Sequence, residues 1–600
     1  MKGFWKTALA AGVGVVLVSI ILSILCSILL GGIIAAAGAN ENAKTIVEPN
    51  SVLDIDFSKI VIAEQTMEGN TFGGMSLLTA GFNAQETSTI GILDAIKAME
   101  AAANDPNIKF VYIRPDMASD ITHLEEFRTA LVRFRTSGKP VIAYIQTPTN
   151  AGYYLASAAD RIYISEYHGG LNQLVGLSGS LVFLKDLLDK VGVNVQLIRH
   201  GKYKSAGEMF VRSSASPENY LQNKVMIDRL WEAIAEPMAA RSGRSVKEFN
   251  EILDNLELVD ASDFVAKGLA DEAVSMDGIR KKLCALSGED GDDFDDINSI
   301  GLYDYAKIKV RKNFKAEDEI AVIYVDGEIV DGRGLEDVAG KRFADIIDEV
   351  CDEDDIKAVV LRVNSPGGSV VAASQIKDAV DRLCAVKPVI ASYGSYAASG
   401  GYWISAGCKY IFSDATTLTG SIGVFGMVPD FSGTVKDIAH VNITAIPSNR
   451  HSDMLSLMRP LDKDELAYMQ KDIEYIYNDF VGIVAKGRKM DATEVDALGQ
   501  GRVWAGKDAL ANGLVDRIGG LADALEYAAV EAGCPEYRLV SYPKPLTQME
   551  MLLASLKPEA DDYLVKIGGP AKGLVNAVKE VASLQEAAVY ARLPYSIEIR

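Results

Sequence analysis

Ser399 lies in the stretch of sequence whose residue types are best suited to nucleophilic chemistry. The apolar residues 388–391 are typical of a short buried strand, and small residues then lead into a pattern that can begin a helix. A serine at such a turn exposes its hydroxyl at a helix N-terminus, and Gly400 and Gly401 let a substrate backbone approach closely. Taken alone, Ala-Ser-Gly-Gly is better explained by tight packing, so the interpretation depends on other stretches.

A glycine-rich turn precedes Ser399 in the sequence, separated from it by one helical pattern and one strand. Residues 364–369, Asn-Ser-Pro-Gly-Gly-Ser, follow a strand-like run and open a helical pattern. Two glycines in this position free backbone N–H groups to point at a phosphate or at the oxyanion of a tetrahedral intermediate. The Gly-Lys-Ser/Thr ending of a P-loop is absent. With Ser399 on the next turn, the sequence favours an oxyanion hole whose donors are the N–H groups of Gly368 and Gly400.

A nucleophilic serine also needs a base, and the sequence leaves two kinds open. His440 and His451 are the histidines of the second half, and a Ser-His-Asp triad is compatible with them, but no acidic residue has a recognisable spacing. In the first half, Lys204 follows an apolar strand. A lysine can act as a general base if burial lowers its pKa from about 10.4 towards neutrality. On its own, Lys204 is better explained as a surface lysine.

The elements that must position these residues form an internal repeat. Five pairs of segments match in the same order: residues 108–114 with 356–362, 138–143 with 386–391, 152–155 with 401–404, 177–180 with 418–421, and 263–271 with 508–516. Each unit alternates short apolar strands with helical patterns, which predicts an α/β class with a mostly parallel sheet in each repeat. The alignment places Asn150 opposite Ser399, and residues 115–118 replace the glycine turn. The first repeat therefore lacks a nucleophile and an oxyanion hole.

Composition limits the classes of partner. A chain of 600 residues is too long for one core, so two or more domains are expected. The net charge of −22 argues against nucleic-acid binding, which needs a basic surface. The six cysteines and five histidines show no metal-ligand spacing, so no metal and no cofactor are predicted. Cys384 and Cys408 lie in apolar contexts and are interpreted as core residues, although an export compartment would permit pairing.

The N-terminus contains a candidate membrane span. Residues 8–30 are continuously apolar, which is long enough to cross a hydrocarbon core of about 30 Å. Lys2 and Lys6 precede the span, so the N-terminus is expected to stay in the cytoplasm and the remaining chain to lie outside it. Small residues at 36–39 would also fit a cleaved signal peptide, but the apolar stretch exceeds a usual h-region of about 7–15 residues. The anchor is therefore preferred.

These patterns divide the chain into five parts. We predict an N-terminus with an anchor at residues 1–39, a first repeat at 50–287, an acidic linker at 288–316, a second repeat at 317–545 and a tail at 546–600. A Gly/Met/Phe-rich insertion at residues 69–82 is interpreted as a surface loop.

Four motifs carry a family resemblance. They are residues 203–206 (Tyr-Lys-Ser-Ala), 364–368 (Asn-Ser-Pro-Gly-Gly), 397–403 (Ala-Ala-Ser-Gly-Gly-Tyr-Trp) and 419–423 (Thr-Gly-Ser-Ile-Gly). Together they resemble the signal peptide peptidase A family of membrane-anchored serine proteases, in its long, tandem-domain form. The resemblance extends from the anchor to the tail at residues 590–600, and the insertion at 69–82 has no counterpart in it.

This resemblance implies a fold and a set of site residues. It implies a ClpP/crotonase-like fold in each repeat, and a Ser/Lys dyad in place of a triad. By position, Ser399 is then the nucleophile, Lys204 the general base, Gly368 and Gly400 the oxyanion donors, and Ser421 the residue that orients the lysine ammonium.

The resemblance also implies an activity and a location. The expected activity is endopeptidase cleavage of remnant signal peptides after their release from preproteins, with small or medium apolar side chains at P1 and P3. The expected location is the bacterial inner membrane, single-pass, with the catalytic part on the periplasmic side. The family's long form is similar to a homotetrameric bowl with the sites inside, so a homotetramer is expected.

Two other function classes remain as alternatives. A crotonase-type acyl-CoA enzyme would use the same glycine oxyanion hole on a thioester, but the anchor and the pair of Ser399 with Lys204 count against it. An inactive membrane scaffold would be expected if both repeats had lost their catalytic parts, whereas only the first has.

Overall fold

The computed structural model describes seven parts of the chain. These are residues 46–66, 87–167, 170–288, 294–310, 313–335, 337–544 and 588–592. The predicted anchor and the insertion at residues 69–82 lie outside them. Among the residues that are described, no helix is both long and apolar enough to cross a membrane. The described residues from Pro49 onward form one compact unit.

The first half alternates strands and helices, as the repeat pattern predicts. Its strands are β1 (Ser51–Asp56), β2 (Ile60–Ala63), β3 (Ser88–Gly91), β4 (Ile108–Arg114), β5 (Val141–Ile145), β6 (Arg161–Ser165), β7 (Asn194–His200), β8 (Glu272–Val274) and β9 (Ser299–Gly301). Its helices are α1 (Ile92–Asn104), α2 (Ile121–Arg135), α3 (Asn150–Ala156), α4 (Lys185–Lys190), α5 (Glu208–Val211), α6 (Pro217–Arg241), α7 (Val246–Asp254), α8 (Ala261–Ala266), α9 (Met276–Ser287) and α10 (Leu302–Lys309).

Six of these strands form the first sheet, in the order β8-β6-β5-β4-β1-β9. Every neighbouring pair is parallel. β5 is a continuous apolar run that is buried throughout, and β4 is buried except at Lys109 and Arg114, as expected for strands covered on both faces. β2 and β3 form a separate parallel pair.

The second half repeats this order of elements. Its strands are β10 (Glu319–Asp326), β11 (Ile329–Val330), β12 (Val338–Ala339), β13 (Ile356–Ser365), β14 (Gly367–Ser369), β15 (Val389–Ala398), β16 (Tyr410–Ser413), β17 (Leu418–Gly420), β18 (Val424–Asp430), β19 (Val503–Ala505), β20 (Arg517–Ile518), β21 (Arg538–Tyr542) and β22 (Ala588–Arg592). Its helices are α11 (Gly340–Asp352), α12 (Val370–Val386), α13 (Gly400–Ser405), α14 (Lys463–Arg488), α15 (Ala492–Leu498), α16 (Gly506–Ala511) and α17 (Leu521–Ala532).

The second sheet has the order β19-β17-β15-β13-β10-β21, and β16 and β20 extend it beside β15. Its neighbours are parallel except for the pair of β17 with β19. The predicted mostly parallel sheet in each repeat is therefore confirmed. The pairing of β13 with β15 is irregular between Val363 and Ser365, just before both strands end. This irregularity lies near the ends of the two strands, where β13 leads into the glycine turn and β15 leads to Ser399.

A third sheet joins the two halves, and the sequence did not predict it. Its order is β12-β11-β14-β22-β18-β7, so β7 of the first half completes a sheet of the second half. β7 and β18 are antiparallel, from Val424 opposite His200 to Asp430 opposite Asn194. A mixed apolar cluster supports the junction, with Leu188 and Phe210 from the first half and Phe425 and Met427 from the second. β7 leads directly into the turn that carries Lys204.

A buried cluster of charges also crosses between the halves. The guanidinium of Arg362 on β13 lies 2.7 Å from Glu64 Oε2 and 2.7 Å from Glu126 Oε1, and all three side chains are nearly inaccessible. His123 Nε2 lies 3.0 Å from Glu64 Oε1. Although burial opposes ionisation, the charges of Arg362 and His123 lower the pKa of Glu64 to about 2. Glu64 is therefore ionised and compensates the charge of Arg362.

We expect Glu64→Gln to lower the free energy of unfolding by about 3 kcal/mol, because it leaves the buried guanidinium of Arg362 poorly compensated. The matched control is Arg133→Gln, which removes a half-exposed ion pair with Asp523 that also links the halves. That variant should change stability by less than about 1 kcal/mol. Denaturant unfolding at pH 7 measures both values. Equal effects of the two substitutions would contradict a structural role for the buried cluster.

Candidate active site

The backbone at Ser399 is held in an uncommon conformation. β15 ends at Ala398, α13 begins at Gly400, and Ser399 between them has φ 55° and ψ −113°. Its N–H donates to the carbonyl of Gly420 at 2.8 Å, which fixes the turn. A strained serine at a strand-to-helix turn is the geometry of a nucleophile elbow, which presents the hydroxyl away from the helix backbone. The predicted strand-to-helix position of Ser399 is confirmed.

Lys204 reaches this turn from the first half. The Tyr203 N–H donates to Gln500 O at 2.9 Å, which fastens the lysine turn to the second half. Arg199 Nη1 on β7 donates to Lys204 O at 2.8 Å and to Glu208 Oε1 at 3.0 Å. The lysine backbone is therefore held from both sides before its side chain enters the interior.

The structure brings Lys204, Ser399 and Ser421 together in a closed site. Lys204 Nζ lies 2.7 Å from Ser399 Oγ, 3.0 Å from Ser421 Oγ and 3.2 Å from Ser421 O. All three residues are 0% exposed. These partners are 195 and 217 positions away from the lysine in sequence. The interpretation of Lys204 as a surface residue is therefore wrong.

Burial lowers the pKa of Lys204 well below its ordinary value. An ammonium group loses its hydration here and gains hydroxyl and carbonyl oxygens as partners, with no carboxylate in hydrogen-bond contact among the residues that the structure describes. Desolvation without a counter-ion favours the neutral amine. A neutral amine at 2.7 Å from a serine hydroxyl can accept its proton.

Two glycines make room for the buried lysine. A Cβ at Gly501 would lie 2.5 Å from the backbone nitrogen of Lys204 and 2.6 Å from its Cβ. A Cβ at Gly423 would lie 3.3 Å from Lys204 Cδ and 2.7 Å from Gly501 Cα. Side chains at these two positions would push the lysine turn away from Ser399.

The glycine turn lies beside the serine, as predicted. Gly367 and Gly368 form the start of β14, which pairs with β11 and with β22. A Cβ at Gly368 would lie 1.9 Å from the carbonyl oxygen of Ile329, so only glycine fits. Gly400 is the first residue of α13, where backbone N–H groups lack helical carbonyl partners. Ser365 at the end of β13 lies opposite Ala397 on β15, so the glycine turn and the start of α13 lie at the same end of the sheet.

Sequence reasoning missed the residues that hold the lysine turn. Glu208 is 1% exposed and accepts from Arg199, from the backbone and hydroxyl of Ser216, and from Asn219. Although burial opposes ionisation, the hydrogen bonds from Ser216 and Arg199 lower the pKa of Glu208. Gln222 bridges the halves, because its amide oxygen accepts from Val503 N at 3.1 Å and its amide nitrogen donates to Tyr203 O at 3.4 Å.

The corresponding positions of the first half carry no such chemistry. Asn150, aligned with Ser399, uses its side chain to bond the backbone N and O of Gly176. Asp116, in place of the glycine turn, accepts from the backbone N–H groups of Gln146 and Thr147 at 2.7 Å each. Both side chains stabilise local backbone.

The histidines of the second half lie elsewhere. His451 Nδ1 lies 2.9 Å from Glu465 Oε1, and Glu465 also accepts from Arg459. His440 is exposed. Neither is a partner of Ser399 within the described residues, so the structure favours the lysine over a Ser-His-Asp triad.

A model of peptidase family S49 matches the chain in two segments, residues 133–289 and 381–534, which together span more than half of it. The chain belongs to peptidase family S49. One segment falls in each half, so the S49 unit occurs in tandem. This confirms the tandem form that the sequence motifs predicted.

Several curated proteins are similar over most of the chain. The identity is 36% to Protease 4 of Haemophilus influenzae, over 73% of this chain and 72% of that protein. The identity to Protease 4 of Salmonella typhi is 32%, over 88% of this chain and 85% of that protein. The identity to the chloroplastic serine protease SPPA of Arabidopsis thaliana is 29%, over 76% of this chain and 68% of that protein. The S49 chain is therefore a serine peptidase, and the acyl-CoA and scaffold alternatives lose their support.

We expect Ser421→Ala to lower kcat/KM by roughly 10–100-fold, because a buried lysine loses one of its hydrogen-bond partners. The backbone carbonyl of Ser421 stays 3.2 Å from Nζ, so the loss should be partial. The effect should appear in kcat and in the pH profile more than in KM. A matched control is Thr419→Val, which removes a buried hydroxyl that bonds Ala397 O and does not touch the lysine. Equal losses in both variants would show that Ser421 acts only on folding.

Proposed function

We propose that the chain is a membrane-anchored serine endopeptidase that degrades remnant signal peptides after their release from preproteins. Ser399 acts as the nucleophile, Lys204 as the general base, Gly368 and Gly400 as oxyanion donors, and Ser421 as the orienting residue. The observation that carries this assignment is the 2.7 Å contact between a fully buried lysine amine and a serine hydroxyl at a strained turn.

In the acylation step, Ser399 Oγ attacks the scissile carbonyl carbon while the neutral amine of Lys204 takes the hydroxyl proton. The negative charge that develops on the carbonyl oxygen is stabilised by the N–H groups of Gly368 and Gly400. The resulting ammonium keeps its contacts with the hydroxyl and carbonyl of Ser421. It then gives its proton to the leaving amine, and the C–N bond breaks to leave an acyl-enzyme.

Deacylation reverses the roles. Water enters the position of the departed amine and attacks the ester carbon while Lys204 accepts a water proton. The same two amides hold the second oxyanion. When the ester bond breaks, Ser399 recovers its proton from the ammonium, and the peptide leaves as a carboxylic acid that loses its proton to water. No step requires a metal or cofactor.

The surroundings of the serine support an apolar, extended peptide as substrate. Ala398 belongs to a buried apolar cluster with Met226, Leu230, Leu418 and Val503. β22 lies antiparallel to β14, with Ala591 opposite Gly368, so an extended peptide that pairs with this side of the glycine turn takes the place of β22. Recognition by strand addition uses such backbone pairing and places alternate side chains towards the protein.

Location and assembly are part of the same proposal. We place the chain in the bacterial inner membrane as a single-pass protein anchored through residues 8–30, with the catalytic part on the periplasmic side. The two repeats are ClpP/crotonase-like domains at residues 50–287 and 317–545, and the segment at 288–316 between them adds β9 to the first sheet. The working form is a homotetramer, and nucleic acid is not a partner.

A panel of peptides tests the substrate class. We expect the full-length protein in detergent to cleave a synthetic signal-peptide h-region best after small or medium apolar residues at P1, with similar residues at P3. A soluble peptide of equal length rich in Arg and Asp should be cleaved at least tenfold more slowly. Mass spectrometry locates the cleavage sites, with Ser399→Ala as the inactive control. Preferred cleavage after Arg or Asp would contradict the proposed substrate class while leaving the peptidase assignment intact.

A further inference from the structure

A short backbone segment of the second half, residues 499–502, lies against the turn that carries Lys204, and we call it the bridge segment. The Tyr203 N–H donates to Gln500 O at 2.9 Å. A Cβ at Gly201 would lie 2.5 Å from the carbonyl carbon of Gln500, so the two backbones are in close contact. The lysine turn of the first half therefore takes its position from the bridge segment.

The bridge segment also holds the turn that orients the lysine amine. The Ser421 N–H donates to Arg502 O at 2.7 Å, and the Gly501 N–H donates to Ile422 O at 2.7 Å. Ser421 Oγ lies 3.0 Å and Ser421 O lies 3.2 Å from Lys204 Nζ. One stretch of backbone thus sets the distance between the lysine turn and the groups that face the amine.

The backbone of the bridge segment is strained and needs support. Gln500 has φ 55°, a left-handed conformation that side chains rarely adopt. Its N–H and its Nε2 both donate to the hydroxyl of Tyr477 at 3.3 Å, and Nε2 also donates to Asp496 Oδ1 at 2.6 Å. The hydroxyl of Tyr477 in turn donates to Asp496. These contacts hold Gln500 in the conformation whose carbonyl accepts from Tyr203.

Tyr477 also contacts the first half directly. Its ring stacks on His200, the last residue of β7, with ring centroids 3.8 Å apart and an angle of 19° between the planes. The tyrosine lies on the long helix α14 and is 2% exposed. One side chain therefore contacts the strand that leads into the lysine turn through its ring, and the bridge segment through its hydroxyl.

We propose that Tyr477 is a positioning residue for Lys204. Its hydroxyl fixes the bridge segment, and the bridge segment holds the lysine amine beside Ser399 and keeps water away from it. Among the described residues, the hydroxyl of Tyr477 bonds Gln500 and Asp496 and neither member of the dyad, so it acts only through the backbone that it supports. This inference rests on the proposed role of Lys204 as the base.

Loss of the hydroxyl would act on the amine in two ways. The Gln500 N–H loses its acceptor, the strained residue relaxes, and its carbonyl moves away from Tyr203 together with the lysine turn. The contact of 2.7 Å between Lys204 Nζ and Ser399 Oγ then lengthens. Water that reaches Nζ also restores part of the hydration that burial removes, which raises the pKa of Lys204 towards its ordinary value.

Tyr477→Phe in the full-length protein tests this role, because it removes the hydroxyl and keeps the ring on His200. The measurement is the rate at which a fluorophosphonate labels Ser399 as a function of pH, which needs no peptide substrate. The rate at pH 7 should fall roughly tenfold, and the midpoint of the profile should move up by about half a pH unit or more. His200 and Asp496, the titratable groups that contact Tyr477, stay in the variant. For an apolar peptide, kcat should fall with the labelling rate while KM stays within about twofold.

The matched control is Tyr153→Phe in α3, which removes another buried hydroxyl, one that donates to Leu269 O at 2.8 Å. Both variants should lower the thermal midpoint by about 2 °C, but only Tyr477→Phe should change the labelling rate and its pH midpoint. A second variant, Gln500→Ala, removes the other side of the contact. It should slow labelling in the unchanged chain and by less than about twofold more in Tyr477→Phe, because both act through the same bonds.

An unchanged labelling rate and pH midpoint in Tyr477→Phe would overturn the proposal. So would an equal loss in Tyr153→Phe, which would mean that removal of any buried hydroxyl has this effect. Fully additive losses from Tyr477→Phe and Gln500→Ala would also contradict it, since the two residues would then act through different contacts. If the unchanged chain were not labelled at Ser399, the proposed nucleophile would fail instead, so the two failures are distinguishable.

Discussion

Ser399→Ala is expected to lower kcat/KM for peptide cleavage by roughly 10⁴-fold or more, since removal of the nucleophile leaves only binding and the oxyanion hole. The variant should fold, because alanine fits the buried position and the turn is fixed by the bond from its N–H to Gly420 O. Initial rates with an apolar peptide and the thermal midpoint measure the two effects separately.

The matched control for this variant is Ser405→Ala on the same short helix. Ser405 is also fully buried, and its hydroxyl bonds Gly401 O and Tyr393 without touching Lys204. Its loss should cost about 1 kcal/mol of stability and leave kcat/KM within a few-fold. If Ser405→Ala were as inactive as Ser399→Ala, the loss would reflect damage to the helix rather than removal of a nucleophile.

Lys204→Met is expected to lower kcat/KM by roughly 10³-fold or more and at the same time to stabilise the protein at neutral pH. Below about pH 10.4 the lysine of the unfolded chain is protonated, whereas the lysine of the folded chain stays neutral down to its lowered pKa. In the window between the lowered pKa and about 10.4, the unfolded state binds more protons, so wild-type stability rises with pH. Methionine carries no charge and has no such cost. We therefore expect the free energy of unfolding at pH 7 to rise by about 1–3 kcal/mol once the loss of the lysine hydrogen bonds is subtracted.

Unfolding at several pH values checks this prediction. The advantage of Lys204→Met over wild type should shrink as the pH approaches 10. Lys204→Arg should be inactive and less stable than Lys204→Met, because guanidinium stays charged in a site where the described residues offer no carboxylate partner. Wild-type kcat/KM should rise with pH through the lowered lysine pKa. Near-normal activity of Lys204→Arg would show that another group is the base.

Local sequence was enough to predict the parts of the site that are short and contiguous. Ser399 and the glycine turn each follow a buried strand and precede a helix, so their backbone conformation depends mostly on neighbouring residues. The repeat predicted the two parallel sheets, because matched strands recur in the same order.

The burial of Lys204 could not be predicted from its neighbourhood, and the family resemblance alone pointed to it. Its environment is made by Gly423, Gly501 and Ser421, which lie more than 200 positions away. The ion pair of Arg362 with Glu64 spans 298 positions, and no spacing rule connects them. Strand β7 reads as an ordinary strand of the first half, yet it pairs with β18 of the second. Contacts of this kind depend on how the two halves fold together.

The central claim is that Ser399 is a nucleophile activated by Lys204. Covalent labelling by a fluorophosphonate tests this claim most directly. The account predicts one adduct per chain, located on Ser399 by peptide mass spectrometry, with a labelling rate that rises with pH through the lowered pKa of Lys204. Lys204→Met should label Ser399 at least 100-fold more slowly while remaining folded. An adduct on another serine, or labelling of Ser399 at an unchanged rate in Lys204→Met, would contradict the account.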